Sequence, residues 1–399
     1  MDYAFSSRLE CVKPASTSKI RNLANELKAS GENVINFAAG ELDFNPPKFL
    51  MDAAIETIQN QPSKYLPAAG LPQLREEISK NISTQAGVQY TKDNVCLTVG
   101  AKHALFSIAT VLIDPDDEVI IPTPHWGTFL TQVELMGGKV VVADTNAQDY
   151  KLTLAQISEL VTEKTKAIIL NSPNNPSGVT YDSLEIKAIM EFAKNKDIWI
   201  ISDECYSSLM RNSEEHVSPI SLCPQHLDKT IIVNSFSKSY AITGWRIGYL
   251  VAPSEVTKKI TSLIGHVTSN VSSIAQYTML QALKCDDGEF IKDVNRELDY
   301  RLNIVSEVCK EIDDISYVHP SGGFYVFLDV SSKFGKKYKN KIVNDVSDIC
   351  EILLKHSGVA VVDGKSFGDS RCIRVSYAVS TDEVKNGMKK IKKVLNDII

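Results

Sequence analysis

The chain has 399 residues, 43% of them hydrophobic, which is enough to bury a large core and suggests one large domain with a smaller companion. A formal net charge of -6 argues against nucleic acid as a main partner and favours small soluble substrates. Eight scattered cysteines without a C-x-x-C pair read as reduced thiols; with no signal pattern over residues 1–8 and no apolar run of membrane-spanning length, a cytoplasmic protein without a membrane partner is expected.

Residues 9–30 favour a helix, with Ile20, Leu23, Ala24 and Leu27 at helical spacing after the turn-prone stretch 14–18, and Gly31 ends it. Residues 34–37 read as a short strand running into loop 38–44, where Gly40 permits close backbone approach to a ligand. Helices are expected over 50–59 and 71–85. The loop 63–70 between them carries Tyr65, whose plain reading is packing under the loop. Strand 95–99 passes at Gly100 into a helix that opens with Ala101 and Lys102, a junction that aims free N–H groups at an anion. The glycines of dinucleotide-binding and P-loop motifs are missing. Strand 118–122 leads to Trp126, which can fill core or stack on a planar ring. Strand 139–143, helix 152–161 and strand 167–170 continue a β/α alternation that calls for a mostly parallel sheet flanked by helices.

Residues 171–178 are too rich in turn formers to be anything but a rigid loop, and Asn175, between Asn174 and Pro176, is well placed to donate to an oxygen. After a helix over 183–194, the buried strand from Ile198 ends in Asp203, Glu204, Cys205 and Tyr206. A carboxylate there is costly without a cationic partner; taken alone, Asp203 also suits a helix cap and Tyr206 the core. The β-branched run 230–233 precedes Ser235, Ser237 and Lys238, and Arg246 stands before the apolar run 247–251. Lys238 thus lies at a strand end among apolar residues, where desolvation lowers a lysine pKa toward a nucleophilic amine able to form a Schiff base. Ser235, Ser237 and Arg246 offer a phosphate clamp, and lysine plus clamp suggests pyridoxal phosphate. From residue 289 a long amphipathic helix (290–312) and strand-like runs at 322–329, 359–362 and 372–377 read as a mixed α+β unit, with Arg374 projecting from one strand face. No internal repeat is present.

Ser-Phe-Ser-Lys at 235–238, Gly-Trp-Arg-Ile-Gly-Tyr at 244–249, the 171–178 loop and Arg-Val-Ser-Tyr-Ala at 374–378 together resemble the class I/II aminotransferases, in particular the bacterial-type aspartate aminotransferases, over almost the whole chain. The resemblance implies an α/β fold of type I. In it, residues 46–288 form a large cofactor-binding domain with a mostly parallel sheet. A smaller α+β domain comes from the chain ends, with 289–399 joined by the N-terminal arm 1–45. It also implies pyridoxal phosphate carried by Lys238 as a Schiff base, with the lysine also moving the substrate's Cα proton. Asp203 would hold the ring nitrogen, Tyr206 and Asn175 the phenolic oxygen, and Trp126 would stack on the ring. Gly100, Ala101, Lys102, Ser235, Ser237 and Arg246 would bind the phosphate, joined by Tyr65 from the other subunit of a homodimer, whose Thr268-Ser269-Asn270 segment also faces the partner's site. Arg374, Asn175 and Gly40 would hold the α-carboxylate of the substrate, and Lys102 the distal carboxylate of a dicarboxylic one. The chain departs from the family pattern at Leu42, usually proline, at Ser172, usually asparagine, and at Val361-Val362-Asp363-Gly364, usually Val-Pro-Gly. The expected activity is transfer of an amino group from an aspartate-like donor to a 2-oxo acid. Aromatic or other donors, a lyase, decarboxylase or oxidase on the same scaffold, and a non-catalytic cofactor-binding regulator stay open.

Overall fold

The computed structural model describes residues 5–12 and 16–399. Strand β1 (Ile35–Asn36) is followed by the seven strands of the central sheet: β2 (Val95–Thr98), β3 (Glu118–Pro122), β4 (Lys139–Ala143), β5 (Thr165–Asn171), β6 (Trp199–Asp203), β7 (Thr230–Ser235) and β8 (Gly248–Val251). They lie in the order β2-β8-β7-β6-β5-β3-β4. Strands β3 to β7 pair in parallel, and β8 runs antiparallel to both β7 and β2, so the sheet is mostly parallel as expected. Alternate residues explain why these strands are apolar throughout. Ile121, Ile169, Ile201 and Val233 face one layer containing Leu105, Ile108, Ile260 and Ile264. Ile120, Ile168, Leu170 and Ile200 face the other with Ile186, Ile189 and Met190. Because β3, β5, β6 and β7 are parallel, their carboxyl ends share one edge, the edge where open α/β sheets hold ligands.

Local signals set the helix bounds. The helix expected from Leu152 begins at Leu154, because Thr153 caps it and exchanges hydrogen bonds with Gln156. The helix Pro72–Ala86 stops at Gly87, whose φ of 65° lies in the left-handed region. The long helix expected over 290–312 spans Glu289–Cys309. Two further helices, Ser254–Val267 and Ser273–Cys285, fill the stretch after β8 that the sequence reading left without elements.

The remaining strands are β9 (Tyr325–Asp329), β10 (Lys337–Tyr338), β11 (Lys341–Ile342), β12 (Val359–Ala360), β13 (Val362–Asp363) and β14 (Cys372–Ser376). β14 lies between β13 and β9, antiparallel to both. β1 pairs in parallel with β12, joining the start of the chain to its end. One apolar cluster accordingly combines Ile35, Phe37 and Leu42 with Leu298, Leu302, Val326, Ile373, Val375 and Ile391. Leu42, where the family usually has proline, is an apolar anchor in this core. Of the arm 1–45, residues 1–4 and 13–15 lie outside the described residues; the helix Ser16–Ala29 packs through Ala24 against Val34 and Ala360. All eight cysteines are free. Among the described residues no helix is long and apolar enough to cross a membrane.

Candidate active site

At the carboxyl edge of the parallel strands lies a cavity of about 500 Å³, walled by the loops after β3, β5, β6 and β7, the loop after β1, and side chains from β9 and β14. The sequence dictates how Lys238 enters it. The apolar run of β7 ends at Ser235, whose Oγ accepts the Ser237 N–H at 3.1 Å and so turns the chain into the short helix Phe236–Ser239. Lys238 Nζ donates to the Gly40 carbonyl, 5.4 Å from the Phe324 ring centre and 5.9 Å from that of Tyr206. Burial lowers its pKa from 10.5 to about 8; Cys205 and Glu41 oppose the shift, and Arg374 and Arg246 add to it.

Asp203 ends β6 and is buried. Burial raises its carboxyl to about 6, against the Cys205 N–H that it accepts at 3.1 Å. The Tyr206 hydroxyl lies 3.3 Å from that of Tyr325, and burial pushes its pKa well up. Trp126 packs edge-on to Phe129 at 5.8 Å, and Lys102 Nζ stands 4.7 Å above the Trp126 ring. Burial, then Arg246, depresses the Lys102 pKa.

One end of the cavity gathers hydrogen-bond donors. The helix Ala101–Leu112 begins there, with first-turn N–H groups that have no acceptor within the helix. Ser235, Ser237 and Arg246 border the same cavity. Arg246, with a φ of 56°, donates to Thr243 O at 2.8 Å and Val99 O at 3.3 Å. A Cβ on Gly100, whose φ is 74°, would come 2.5 Å from Arg246 Nη2, so the glycine leaves the room that the guanidinium fills.

At the opposite wall, Arg374 is held between the Tyr325 and Phe367 rings, at 4.3 and 5.0 Å. Its Nη1 donates to Asn175 Oδ1 and its Nη2 to Ala38 O, each at 3.0 Å. Its buried Nε has no partner among the described residues. Asn175 is itself fixed, its N–H donating to Asn171 Oδ1 at 2.9 Å. Ser172, at the family's asparagine position, is buried, with its Oγ 3.4 Å from the Tyr181 N–H. The departing segment before Gly364 forms β13, whose Val362 lies opposite Arg374.

Of the residues singled out in the sequence, Gly40, Ala101, Lys102, Trp126, Asn175, Asp203, Tyr206, Ser235, Ser237, Lys238, Arg246 and Arg374 border this one cavity. Gly100 abuts it through Arg246, whereas Tyr65 stands outside it, 88% exposed. Sequence reasoning assigned no role to Glu41, Thr128, Cys205, Thr243, Gly244 or Tyr325, which also border it. Thr243 and Gly244 lie inside the signature around Lys238, and the alternation of β9 could have pointed to Tyr325.

The chain matches the family model for aminotransferase class I and II over residues 32–391. It is 40% identical to a probable aspartate/prephenate aminotransferase of Aquifex aeolicus, with all of both chains covered. It is 37% identical to an aspartate aminotransferase of Bacillus subtilis, over 97% of this chain and 98% of the relative. Among solved structures it is similar to the aspartate aminotransferase of Rhizobium meliloti, with a TM-score of 0.95, 32% identity and complete coverage of both chains. The Thermus thermophilus aspartate aminotransferase with maleate superposes with a TM-score of 0.92 at 32% identity, over 99% of this chain and all of the other. The resemblance read around Lys238 is thus borne out over nearly the whole length: the chain is an aminotransferase and belongs to the class I and II family.

Proposed function

We propose that this aminotransferase uses pyridoxal phosphate and takes a dicarboxylic amino acid, aspartate or glutamate, as donor to a 2-oxo acid. The observation that carries the proposal is the convergence of a buried, pKa-depressed lysine, a buried carboxyl and a partly unpaired buried arginine on one cavity. The residues fit the cofactor. Gly100, the Ala101 helix start, Lys102, Ser235, Ser237 and Arg246 make a cradle for a phosphate. Trp126 supplies a flat wall, and Asp203 a carboxylate for a ring cation. When bound, the cofactor supplies an electron sink for the bond at the substrate Cα.

The chain's own groups do the rest. Lys238 would hold the cofactor; once released, its amine, whose pKa burial lowers to about 8, would take a proton from the substrate Cα and return it. Asp203 would keep the cofactor's ring nitrogen protonated, and Asn175 and Tyr206 would serve its phenolic oxygen. Arg374, immobilised by Asn175, Ala38 and two rings, keeps free N–H groups for the α-carboxylate. Lys102, Arg246, Lys238 and Arg374 outnumber Glu41 and Asp203 around the cavity, a balance that suits a phosphate and a dicarboxylate together. Lys102 is the cation proposed for the distal carboxylate.

The sites belong to a homodimer in this reading. Met51, Ile55 and Ile58 leave an apolar stripe exposed on one helix, and Tyr65 lies beyond its end. Tyr65 then reaches the phosphate of the other subunit. The division into a cofactor domain (46–288) and a smaller domain (289–399 with arm 1–45), and a cytoplasmic location, belong to the same proposal. Incubating the enzyme with cofactor, aspartate and 2-oxoglutarate tests it: glutamate and oxaloacetate in equal amounts support transfer, whereas ammonia release points to a lyase. Four relatives' names pair aspartate with prephenate, so prephenate is the second acceptor to assay.

A further inference from the structure

The loop after β1 crosses the mouth of the cavity as a strap whose residues are tied one after another to different parts of the fold. Phe37 is fixed at the near end, donating its N–H to Ala360 O at 2.9 Å and accepting the Ser376 N–H at 3.0 Å. Ala38 accepts from Arg374, Gly40 from Lys238, and the Glu41 carboxylate from Thr243 Oγ1 at 2.9 Å. At the far end Asp43 receives a two-pronged ion pair from Arg301, Nη1 to Oδ1 at 2.7 Å and Nη2 to Oδ2 at 3.1 Å.

Arg301 sits on the long helix Glu289–Cys309 and is buried. Its Nε is occupied by Glu297 at 3.0 Å and Thr381 Oγ1 at 3.3 Å, and its guanidinium lies 5.1 Å from the centre of the Phe44 ring. Each of its three side-chain nitrogens therefore has a partner. A planar, buried guanidinium with fixed neighbours sets the direction of its partner as well as its distance. Without it, the strap beyond Gly40 would keep the Glu41–Thr243 bond and the packing of Leu42 and Phe44.

We propose that Arg301 and Asp43 are positioning residues for substrate binding: their fork holds the strap so that the Ala38 carbonyl aims the Arg374 guanidinium. Neither touches the reacting atoms. The inference rests on the proposed role of Arg374 toward the α-carboxylate. It assigns the tuning of that subsite to an ion pair between the strap and the helix Glu289–Cys309.

The test is the affinity of the holoenzyme for maleate, an unreactive dicarboxylate, measured by calorimetric titration beside steady-state kinetics with aspartate. Asp43→Asn keeps the shape and removes the charge; Arg301→Lys keeps the charge and removes the fork. Asp43→Asn is expected to raise the maleate Kd and the aspartate KM about tenfold with kcat within about twofold, the loss of roughly one charge-assisted bond; Arg301→Lys follows in the same direction by a smaller factor. Wild-type Kd and KM in folded Asp43→Asn, with only a lower melting temperature, would overturn the inference and leave the pair a purely structural role. Failure of both variants to fold would do the same. Arg374→Lys separates the two layers: if it weakens maleate and Asp43→Asn does not, the strap inference falls alone; if Arg374→Lys also binds maleate normally, the proposed α-carboxylate site falls with it.

Discussion

Arg374 on β14 donates to Asn175 Oδ1 across 3.0 Å, joining residues 199 positions apart in the chain and fixing the guanidinium before any substrate arrives. The pairing uses Nη1 of the arginine and the amide oxygen of the asparagine, and Ala38 O takes Nη2, so Nε, the second N–H of each Nη and the Asn175 amide N–H groups are left for an oxygen ligand.

Arg374→Lys retains the charge and loses the planar fork. With one or two charge-assisted bonds at stake, kcat/KM should fall about ten- to a hundredfold for every amino donor alike, since all share the α-carboxylate. Steady-state kinetics with aspartate, alanine and phenylalanine check this, and a loss confined to aspartate would reassign Arg374 to the distal carboxylate.

Much of this site is legible in the sequence because its parts sit where strands end. Lys238, Asp203 and Asn175 each follow a continuous apolar run, and parallel strands deliver such residues to one edge. The closing wall is less legible. Tyr325, Thr128 and Glu41 reach the cavity from separate elements, and no local pattern records which loops fold over it. The Arg301–Asp43 fork spans 258 positions between an ordinary-looking amphipathic helix and a turn, so only the folded chain brings it together. Helix bounds slipped by a few residues where side-chain caps such as Thr153 decided them.

In the proposed reading, Lys102 separates acidic from other donors. Its amine stands over Trp126 at the mouth of the phosphate cradle, partly desolvated. Lys102→Ala should lower kcat/KM for aspartate and glutamate about ten- to a hundredfold more than for alanine or phenylalanine, the worth of roughly 1.5–3 kcal/mol for a charge-assisted contact. Equal losses on all donors together with weaker cofactor retention would show that Lys102 serves the phosphate instead.

Asp203 carries a stability cost that the proposed cofactor would relieve. Its folded pKa of about 6 lies above the ordinary value of 3.8, so between the two the native state binds more protons than the unfolded one. Stability of the apoprotein from this group therefore falls as pH rises from about 4 to 6, and the full cost, on the order of 2–4 kcal/mol, persists above that. Asp203→Asn apoprotein should accordingly melt higher than wild type at pH 7.5, with the gap shrinking toward pH 4, while the loaded variant loses most of its turnover. Thermal melts across pH read the sign directly.

Shared sites are tested by complementation. Lys238→Ala lacks the proposed cofactor lysine and Tyr65→Phe lacks the phenol proposed to cross the interface. Refolded together, the two should give heterodimers with one fully furnished site, restoring cofactor affinity relative to the Tyr65→Phe homodimer. No recovery in isolated heterodimers would confine each site to one subunit.

Lys238 is the hinge of the whole account, since burial, the capped turn at Ser235 and the convergence of Asp203 and Arg374 all give it meaning. The most direct measurement is borohydride reduction of the holoenzyme followed by peptide mapping, run beside the aspartate and 2-oxoglutarate assay on the same preparation. The predicted result is the reduced cofactor on the peptide containing Lys238, and loss of glutamate formation in step with its labelling. Label on another lysine, or undiminished transfer after Lys238 is fully modified, would contradict it.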